Sequence, residues 1–565
     1  MILDILSDIV TKEAQKLGYN ETLRVIKSNR LDLCDYQCDE VFKLTKIYHK
    51  SPIEIGEQIV NNLNSINNFK DYFEKIEFCK PGFINITISN TFINNNLILM
   101  DNNDKFNLSL PNKIDTYVID YGGPNIAKPL HVGHMRPAIV GESIKRLINY
   151  VGHKTISDVH LGDIGLPIGE VIYACLKDNI KPNEITLEYL NKVYPLMSSL
   201  VKEDEKIKNE CAAIIKEVQE KKNYLDYWKV ICDISIQDIK RLYKYLDISF
   251  DYWLSESDAY EFIPKVKNYL EEKQLLKDSM GAKVVFVNKD TDKIEYPPLI
   301  FEKSNGAYLY ESSELGTIYQ RMQDFHPNYI LYVTDERQSM HFEQVFRTCE
   351  LSGLTKDTKL LHLPHGTING LDGKPYKTRS GDTPKLDELF KEVKKIFISK
   401  KESNKDMNTK DIDIIVNAIL KYADLQNSRD RDYIFDINKF SDTQGKTGPY
   451  ILYSYLRMNK IITKYQSNIN NLTNNIYNKY DRDLRMSILD YEIYIKSAFK
   501  EFKPNYIAEY IYNICVAMNA FYQNNHIDTL EDKKKLNDWA SIIKLANKII
   551  KEMLTLLIID IPEKM

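Results

Sequence analysis

Cysteine, charge of one sign and long apolar runs are all scarce in this sequence. Its 565 residues include eight cysteines, and no second close pair accompanies Cys34 and Cys38, so neither a disulfide scaffold nor a structural zinc site is expected. The formal net charge of −4 does not indicate nucleic-acid binding, although a local basic surface stays compatible with it. The longest apolar stretch, MLTLLIIDI at 553–561, is too short to cross a bilayer, and the N-terminal stretch lacks the basic start of a signal peptide. These absences favour a soluble, cytoplasmic protein of several domains.

The pattern of apolar and polar segments predicts three domains. Residues 1–108 are typical of a small α+β domain, with a strand in GFINITIS at 82–89. Residues 109–395 predict an α/β domain with a parallel sheet and a charged, helical insertion at about 180–290. Helical periodicity dominates residues 396–565, which predicts a helical bundle.

One βαβ unit can be placed within the α/β domain. TYVIDY at 116–121 predicts a strand, and an apolar stripe predicts a helix from Gly133 to Gly152. TISDVHLGD at 155–163 predicts a second strand and the loop after it. A strand, a helix and a strand over this length indicate parallel neighbours in one sheet.

Other segments predict the elements around this unit. AYLYES at 307–312 and YILYVTD at 329–335 predict strands, and AKVVFVN at 282–288 predicts a short one. The lysine-rich stretch at 391–411 predicts either a solvated face or a linker.

The loop and helix start PNIAKPLHVGHMR, at 124–136, contain two histidines three residues apart. A helix N-terminus at the carboxyl end of a parallel strand favours an anion, and His131 and His134 can both face it. Gly133 leaves room for a flat ring to approach the backbone. The arrangement predicts a nucleotide phosphate site built from imidazoles. Two surface histidines or two metal ligands are the alternatives, and the metal reading lacks an HExxH pattern and a nearby third ligand.

This stretch resembles the HIGH motif of class I aminoacyl-tRNA synthetases, with Val132 in the place of isoleucine. The longer run from Tyr121 to Gly165 is similar to the arginyl-tRNA synthetase family specifically. The resemblance extends from about residue 80 to the C-terminus and is weaker across 180–290. Further matches occur in the family's order at KPGFINITIS, YVTDERQSMHFEQVF, HGTINGLDGKPYKTRSGDTPKL, GKTGPYILYSYLR and the final IPEKM.

The resemblance implies a Rossmann-like catalytic domain of the HIGH superfamily, an N-terminal domain that contacts the tRNA elbow and a helical domain that binds the anticodon. It implies that L-arginine and ATP react to arginyl-adenylate and pyrophosphate. Arginine then passes to the 2′-hydroxyl of the terminal adenosine of tRNA(Arg). The expected ligands are ATP with Mg²⁺, L-arginine and tRNA(Arg). No structural metal and no membrane partner are expected, and the protein is expected to be a cytoplasmic monomer.

The catalytic residues implied by the resemblance are His131, His134 and Lys128. The second motif of the class, KMSKS, is not intact in KPYKTRSG, and many family members with this departure carry a lysine at the place of Lys128. A lysine on a flexible stem can reach the phosphates from either loop, so the exchange is physically reasonable. A plain surface lysine is the alternative. The resemblance implies further contacts to ATP at Gly133, His160, Gly162, Asp163, Lys374, Lys377 and Arg379.

Arginine presents a rigid fork of donors that requires acidic and planar partners. YESSE at 310–314 supplies Tyr310 and Glu314 at the family spacing, although the family usually has aspartate at the second place. Gln338 matches a glutamine of the pocket, and Asn125 matches the asparagine that holds the amino-acid end of the substrate.

In the helical domain, Tyr450, Tyr453 and the terminal Met565 match residues at the anticodon-binding surface of the family. Unstacked bases are commonly bound by aromatic stacking, although either tyrosine could instead be a core residue.

Two further functions stay open at this point. A non-catalytic paralogue that binds tRNA or arginine is motivated by Gly123 and Ile164, which stand where the family often has serine and tryptophan. Glu314 and the altered KMSKS motif add to that case, whereas the retained histidines and Lys128 argue against it. A related class I synthetase for another amino acid, such as cysteine, is the third reading, and Glu314 with Gln338 favours a guanidinium instead.

Overall fold

The computed structural model describes residues 2–376, 384–400, 407–466, 472 and 475–565. The chain forms two compact units, each assembled from separated segments. The first unit comprises Met1–Leu110, Ile451–Ser497 and Glu509–Met553, and the second comprises Pro111–Tyr450, Ala498–Ala508 and Leu554–Met565. The three domain boundaries predicted from the sequence stay predictions, because the units are defined by compactness and combine distant segments.

The first unit begins with a four-stranded antiparallel sheet, of strand order β1-β2-β4-β3, and its helices. The strand predicted at 82–89 is present as β4. Serine caps begin two of the helices, since the side chains of Ser51 and Ser89 accept backbone hydrogen bonds from Ile53 and Phe92. The elements are α1 (Ile2–Gln15), β1 (Ile26–Lys27), β2 (Tyr36–Cys38), α2 (Val41–Tyr48), α3 (Pro52–Asn64), α4 (Phe69–Tyr72), β3 (Phe73–Cys79), β4 (Phe83–Ile88) and α5 (Asn90–Asn102).

The predicted C-terminal helical bundle is confirmed. Its helices are α18 (Gly448–Lys464), α19 (Lys479–Leu489), α20 (Tyr491–Glu501), α21 (Asn505–Asn525) and α22 (Lys533–Leu556). A buried ion pair stabilises the part in the first unit: Arg485 Nε donates to Asp481 Oδ1 at 2.7 Å and its Nη1 donates to Asn94 Oδ1 at 2.8 Å. Trp539 Nε1 donates to the other oxygen of Asp481 at 3.1 Å. The Arg485 side chain is fully buried.

The second unit contains a parallel sheet of strand order β11-β10-β5-β6. Its strands are β5 (Thr116–Tyr121), β6 (Lys154–Asp158), β10 (Tyr329–Val333) and β11 (Lys359–His362). The helix α6 (Val132–Tyr150) connects β5 to β6, so the predicted βαβ unit is confirmed. Five of the six residues of β5 are buried, as expected for a strand covered on both faces.

The remaining elements of the second unit surround this sheet. They are α7 (Leu166–Lys177), α8 (Leu187–Glu203), α9 (Glu205–Gln219), α10 (Leu225–Tyr245), α11 (Glu256–Ala259), α12 (Ile263–Glu272), β7 (Lys277–Ser279), β8 (Ala282–Val285), β9 (Leu299–Glu302), α13 (Tyr310–Phe325), α14 (Ser339–Ser352), β12 (Ile368–Asn369), α15 (Leu386–Lys400), α16 (Thr409–Leu425), β13 (Tyr433–Ile434) and α17 (Ile437–Phe440).

One sequence prediction is wrong here. The strand predicted at 307–312 is instead the approach to α13, because the hydroxyl of Ser312 accepts the backbone N–H of Leu309 and starts a helix.

For the stretch at 391–411 the sequence leaves a solvated face and a linker open, and its part through Lys400 is a solvated face. Leu389, Val393 and Phe397 are buried at intervals of four residues in α15, so the lysines form the exposed face of an amphipathic helix.

Across the described ranges, no helix combines the length and the apolar character that crossing a bilayer requires.

Candidate active site

The loop between β5 and α6 lies close against the segment that follows β6. Gly122 has a left-handed φ of +68°. A Cβ at Gly123 would lie 2.3 Å from the carbonyl oxygen of Val159 and 2.4 Å from that of His160. A serine, which the family often has there, would therefore require the loop to shift in this chain.

The two histidines cap the start of α6 reciprocally. Nδ1 of His131 accepts the backbone N–H of Gly133 at 3.1 Å, and Nδ1 of His134 accepts the backbone N–H of His131 at 3.2 Å. An imidazole nitrogen that accepts a hydrogen bond carries no proton, so the proton of each neutral ring is on Nε2. A Cβ at Gly133 would lie 3.0 Å from Cε1 of His131, so the absence of a side chain at this position leaves room for the ring.

Both imidazoles are held in the neutral form. Burial and the nearby ammonium of Lys128 lower the pKa of His131. Burial, His131 and Lys128 lower the pKa of His134 to about 3. The ring centroids are 3.8 Å apart. At neutral pH the helix start thus presents two N–H donors without adding positive charge.

Lys128 lies between the loop and the helices after β6. Its Nζ is 5.7 Å from the centroid of the Tyr194 ring, which belongs to α8. Glu170 on α7 is 5% exposed, and burial raises its pKa while Lys128 and Lys202 partly offset that rise. The backbone of Ala127, just before the lysine, is left-handed with φ of 69°, which directs the chain back toward α6.

Asn125, Gly162 and His160 meet where β6 ends. The backbone of Gly162 accepts from Ile126 N at 2.9 Å and donates to Pro124 O at 3.2 Å. A Cβ at Gly162 would lie 2.2 Å from Oδ1 of Asn125, so only glycine permits this side chain to lie over the segment. His160 follows β6 with a positive φ of 39°.

A buried arginine pairs with the acidic residues at the ends of β5 and β6. Nη2 of Arg321 donates to Asp120 Oδ2 at 2.6 Å and to Asp158 Oδ2 at 2.9 Å. Ligand atoms of Asp120, Asp158 and His160 lie within 4.8 Å of one another, close enough to hold a metal ion. The guanidinium of Arg321 already binds both carboxylates and its charge offsets one of them, so this group of residues fits an internal ion pair better than a cation site.

Further carboxylates surround His160 and form an acidic pocket. Burial raises the pKa of Asp120, although Arg321 and His160 oppose it. Burial would lower the pKa of His160, but the carboxylates of Asp120 and Glu314 raise it on balance. Burial raises the pKa of Glu256 to about 7, with His160 opposing and Glu314 adding to the rise. Oε1 of Glu314 is buried and has no hydrogen-bond partner within the described part of the chain.

The predicted arginine-binding residues are brought together in part. Tyr310 is the first residue of α13 and Glu314 lies one turn later, so both face the same side. Tyr310 is 65% exposed, and partial burial together with the carboxylates of Glu256 and Glu311 raises its pKa. Gln338 is exposed directly before α14. That helix approaches α13, because Nδ1 of His341 lies 3.8 Å from Oε1 of Glu311.

Sequence reasoning did not select Asp120 or Glu256. Asp120 could have been found, because it lies near the carboxyl end of a parallel strand, where open sheets bind their ligands. Glu256 gave no such signal, since it is distant in sequence from every motif.

Asp163 is held by hydrogen bonds to neighbouring residues of the fold, and Ile164 is buried beside it. Both carboxylate oxygens of Asp163 accept from Ser257, from its backbone N at 3.0 Å and its hydroxyl at 2.6 Å. Trp228 Nε1 donates to the carbonyl of Asp163 at 2.8 Å, and Ile164 is buried. The predicted contact of Asp163 with ATP stays a prediction, and these bonds favour an indirect role through the local backbone.

The segment HGTINGLDGKPYKTRSGDTPKL (365–386) contains the altered KMSKS motif and is the predicted second nucleotide loop; the structure describes it at both of its ends. Lys374 is exposed in a tight turn, where its carbonyl accepts from Gly370 N at 2.7 Å. After the loop, a bridge joins Lys385 to His131, and Leu386 N donates to Leu130 O at 2.9 Å. The predicted contacts at Lys377 and Arg379 lie outside the described residues.

The residues predicted to bind tRNA are accessible to different degrees. Tyr450 and Tyr453 lie on α18, and Tyr453 is 46% exposed. Met565 is partly buried at the end of a segment held by Asp411, whose carboxylate accepts from Glu563 N at 2.8 Å. Their role at an anticodon stays a prediction.

Comparison with protein families assigns each part of the chain. The family model described as tRNA synthetases class I (R), catalytic domain, matches residues 95–437. The DALR anticodon binding domain matches residues 451–565, and the arginyl tRNA synthetase N terminal domain matches residues 3–88. The parallel sheet with its histidine-capped helix is thus the catalytic domain of a class I tRNA synthetase.

Individual relatives narrow this class. The chain is 36% identical over 598 residues to the arginine–tRNA ligase of Agathobacter rectalis and 35% identical over 589 residues to that of Alkaliphilus oremlandii, with both chains fully covered in each case. It superposes on the arginyl-tRNA synthetase of Plasmodium falciparum with a TM-score of 0.81 and 26% identity, covering 100% of this chain and 99% of that one. The arginyl-tRNA synthetase of Thermus thermophilus has the same fold, with a TM-score of 0.83 and 18% identity over both full chains. The chain belongs to the arginyl-tRNA synthetase family.

Proposed function

We propose that this chain is an arginine–tRNA ligase, which activates L-arginine with ATP and transfers it to tRNA(Arg). The observation that carries the proposal is the neutral histidine pair at the start of α6, beside a pocket that contains Asp120, Glu256 and Glu314. The first feature suits a polyphosphate and the second suits a guanidinium.

In the first step, the carboxylate of arginine attacks the α-phosphorus of ATP and pyrophosphate leaves. His131 and His134 donate hydrogen bonds from Nε2–H to phosphate oxygens, and Lys128 supplies positive charge beside them. The histidines and Lys128 form no covalent bond to the substrates, so they act by positioning the phosphates and by stabilising charge in the transition state. In the second step, the 2′-hydroxyl of the terminal adenosine of tRNA attacks the adenylate carbonyl, and AMP leaves.

The acidic pocket would hold the side chain of arginine. Glu314 offers a buried carboxylate oxygen that lacks a partner in the described residues, which an incoming guanidinium can satisfy. Asp120 and Glu256 add negative charge, Tyr310 and Gln338 lie at the opening, and Asn125 orients the amino-acid end.

The other predicted contacts to ATP would act around the phosphates and the nucleoside. Gly133 and Gly162 permit close approach, and His160 and Asp163 shape the segment after β6. Lys374, Lys377 and Arg379 would close on the phosphates from the second nucleotide loop. Mg²⁺ would bind with ATP, since Arg321 occupies the carboxylates of the one described group that has ligand spacing.

Recognition of tRNA is assigned to both ends of the chain. The helical domain, with Tyr450, Tyr453 and Met565, would contact the anticodon loop, and the N-terminal domain would contact the elbow. We further propose that the protein acts as a monomer in the cytoplasm.

The decisive experiment is charging of tRNA with each of the twenty amino acids in the presence of ATP and Mg²⁺. Arginine alone is expected to be attached, and little adenylate is expected to form without tRNA. Loading of another amino acid, or binding of tRNA without any loading, would contradict the proposal.

A further inference from the structure

Arg136 is a buried cation one turn into α6, close after the two histidines. Its side chain is 1% exposed, as is that of Asp424, and its Nε lies 3.4 Å from Asp424 Oδ1. The guanidinium also lies 5.1 Å from the centroid of the Tyr433 ring. A buried ion pair of this kind often contributes little net stability against an apolar substitute, so its place in the fold calls for another explanation.

The other donors of Arg136 all reach backbone carbonyls of two loops. Nη1 donates to Thr367 O at 3.2 Å, and Nη2 donates to Ser428 O at 3.3 Å and to Arg431 O at 2.8 Å. One rigid, planar group therefore joins the histidine helix to the segment before β12 and to the segment before β13.

The segment held by Arg136 leads directly to the second nucleotide loop. Thr367 precedes β12, which pairs with β13 through Ile368 and Asn369. Tyr376 N donates to Ile368 O at 2.9 Å, which closes a hairpin around Lys374. The carbonyl of Thr367 also accepts Tyr433 N at 3.2 Å, so the start of this hairpin is held by β13 and is joined to α6 by Arg136.

The two ends of the second nucleotide loop are attached to α6 in different ways. The later end is attached by backbone pairing, at the bridge between His131 and Lys385. The earlier end is attached by a side chain, since Nη1 of Arg136 donates to Thr367 O. Backbone pairing survives most substitutions, whereas the second attachment depends on one residue.

We infer that Arg136 is a positioning residue for ATP, which holds the hairpin of Lys374 in register with His131 and His134. It touches neither substrate nor phosphate in this scheme and acts through the carbonyl of Thr367. The inference rests on the proposed function, because it assigns the second nucleotide loop to the same ATP as the histidines.

The test uses Arg136→Gln together with Asp424→Asn, so that no unpaired charge stays buried. In arginylation assays with tRNA, the double variant is expected to lose about tenfold to hundredfold in kcat/KM for ATP, as small misplacements of reacting groups do. Its KM for arginine is expected to change by less than about twofold, because the described hydrogen bonds of Arg136 go to Thr367, Ser428 and Arg431 and not to the acidic pocket. Arg136→Lys keeps the charge but not the fork, and an intermediate loss is expected.

Arg485→Gln with Asp481→Asn is the matched control. It removes a buried arginine–aspartate pair of equal burial from the first unit, and it is expected to lower thermal stability without changing the KM for ATP. A second readout is independent of activity: amide hydrogen exchange at Gly370 and Tyr376 is expected to accelerate in the Arg136 variant only.

The outcomes separate the inference from the proposed function. If the wild-type protein does not charge tRNA with arginine, the proposed function fails. The hydrogen-exchange data would still report whether Arg136 holds the hairpin through Thr367. If the wild type is active, and the folded double variant keeps normal ATP kinetics and normal exchange at the hairpin, the inference is wrong.

Discussion

The proposed phosphate half of the site (His131, His134 and Lys128) and the proposed arginine half (around His160) differ in how the protein shifts the pKa values of their ionisable groups. At the start of α6, burial and Lys128 lower the pKa values of His131 and His134, so the rings donate hydrogen bonds as neutral groups. Around His160 the opposite holds, because burial and mutual repulsion raise the pKa values of Asp120 and Glu256.

This difference indicates that each half is suited to the charge of its ligand, which is negative for phosphate and positive for guanidinium. The phosphate half presents N–H donors and the ammonium of Lys128 to an anion. Protonated imidazoles would place further positive charge beside Lys128, and the repulsion between these like charges favours the neutral rings. The arginine half holds more carboxylates than Arg321 and His160 can neutralise, so it favours a further cation such as the substrate guanidinium.

The largest expected effect is in the arginine half. Glu314→Gln removes the carboxylate whose Oε1 has no partner in the described residues, and kcat/KM for arginine is expected to fall about 10²- to 10³-fold, as for the loss of one member of a buried charge pair. Steady-state arginylation at varied arginine measures this.

Glu311→Gln is the matched control on the same helix, because Glu311 pairs with His341, whereas Oε1 of Glu314 has no partner in the described residues. Near-normal use of arginine is expected for it. An unchanged KM for arginine in Glu314→Gln would remove Glu314 from the pocket.

In the phosphate half, His134→Ala is expected to slow activation by about 10²-fold or more, since one donor to the transition state is lost. The variant also loses the acceptor for His131 N–H, a cap contribution of about 1 kcal/mol, so thermal stability should fall.

His134→Asn separates the two effects. Its amide oxygen can replace Nδ1 as the cap, whereas its amide N–H groups lie closer to the backbone than Nε2 and do not reach the same position. Restored stability with slow activation is expected in pyrophosphate exchange with tRNA present, and near-normal turnover would contradict the phosphate assignment.

The sequence was sufficient to place the two histidines at the start of a helix after a parallel strand, because these parts are local. β5, the loop and α6 follow one another within 35 residues, and the helix start with its histidines is visible in the periodicity. Where local preference and context disagree, prediction failed: AYLYES has strand-forming residues, but the hydroxyl of Ser312 starts a helix there.

The arginine half could be predicted only in part because it is assembled from distant segments. Glu314 was found through the resemblance, while Asp120 and Glu256 come from a strand and a short helix more than 130 residues apart. Their shared environment depends on packing, which raises or lowers each pKa and which no local pattern reports.

A moderate effect is expected at the boundary of the two halves. Gly162→Ala places a Cβ 2.2 Å from Asn125 Oδ1, so the asparagine must move. A loss of about tenfold in kcat/KM for arginine is expected, within the range of about 1–3 kcal/mol for overpacking. Gly165→Ala is the control, because its Cβ would lie 3.4 Å from Pro167, an ordinary contact. Equal behaviour of the two variants would show that the position of Asn125 does not matter.

The smallest expected effect is a dependence on pH that originates at Glu256. Its pKa of about 7 lies above the ordinary value of 4.5, with His160, Asp163 and Glu314 facing it. The folded protein therefore holds a proton there that the unfolded chain releases, and this contribution to stability is lost as pH rises from about 4.5 through 7. Arginine binding should show the reverse trend, because the ionised carboxylate attracts the guanidinium.

Titration calorimetry of arginine at pH 6, 7 and 8 measures the second trend. Affinity is expected to rise by about fivefold between pH 6 and pH 8, below the roughly tenfold limit set by the ionised fraction of one group. Glu256→Gln should flatten this dependence, while any part due to His160 would persist in the variant. Identical pH profiles for the two proteins would mean that Glu256 does not face the guanidinium. The negative charge that attracts the guanidinium would then come from Asp120 and Glu314 alone.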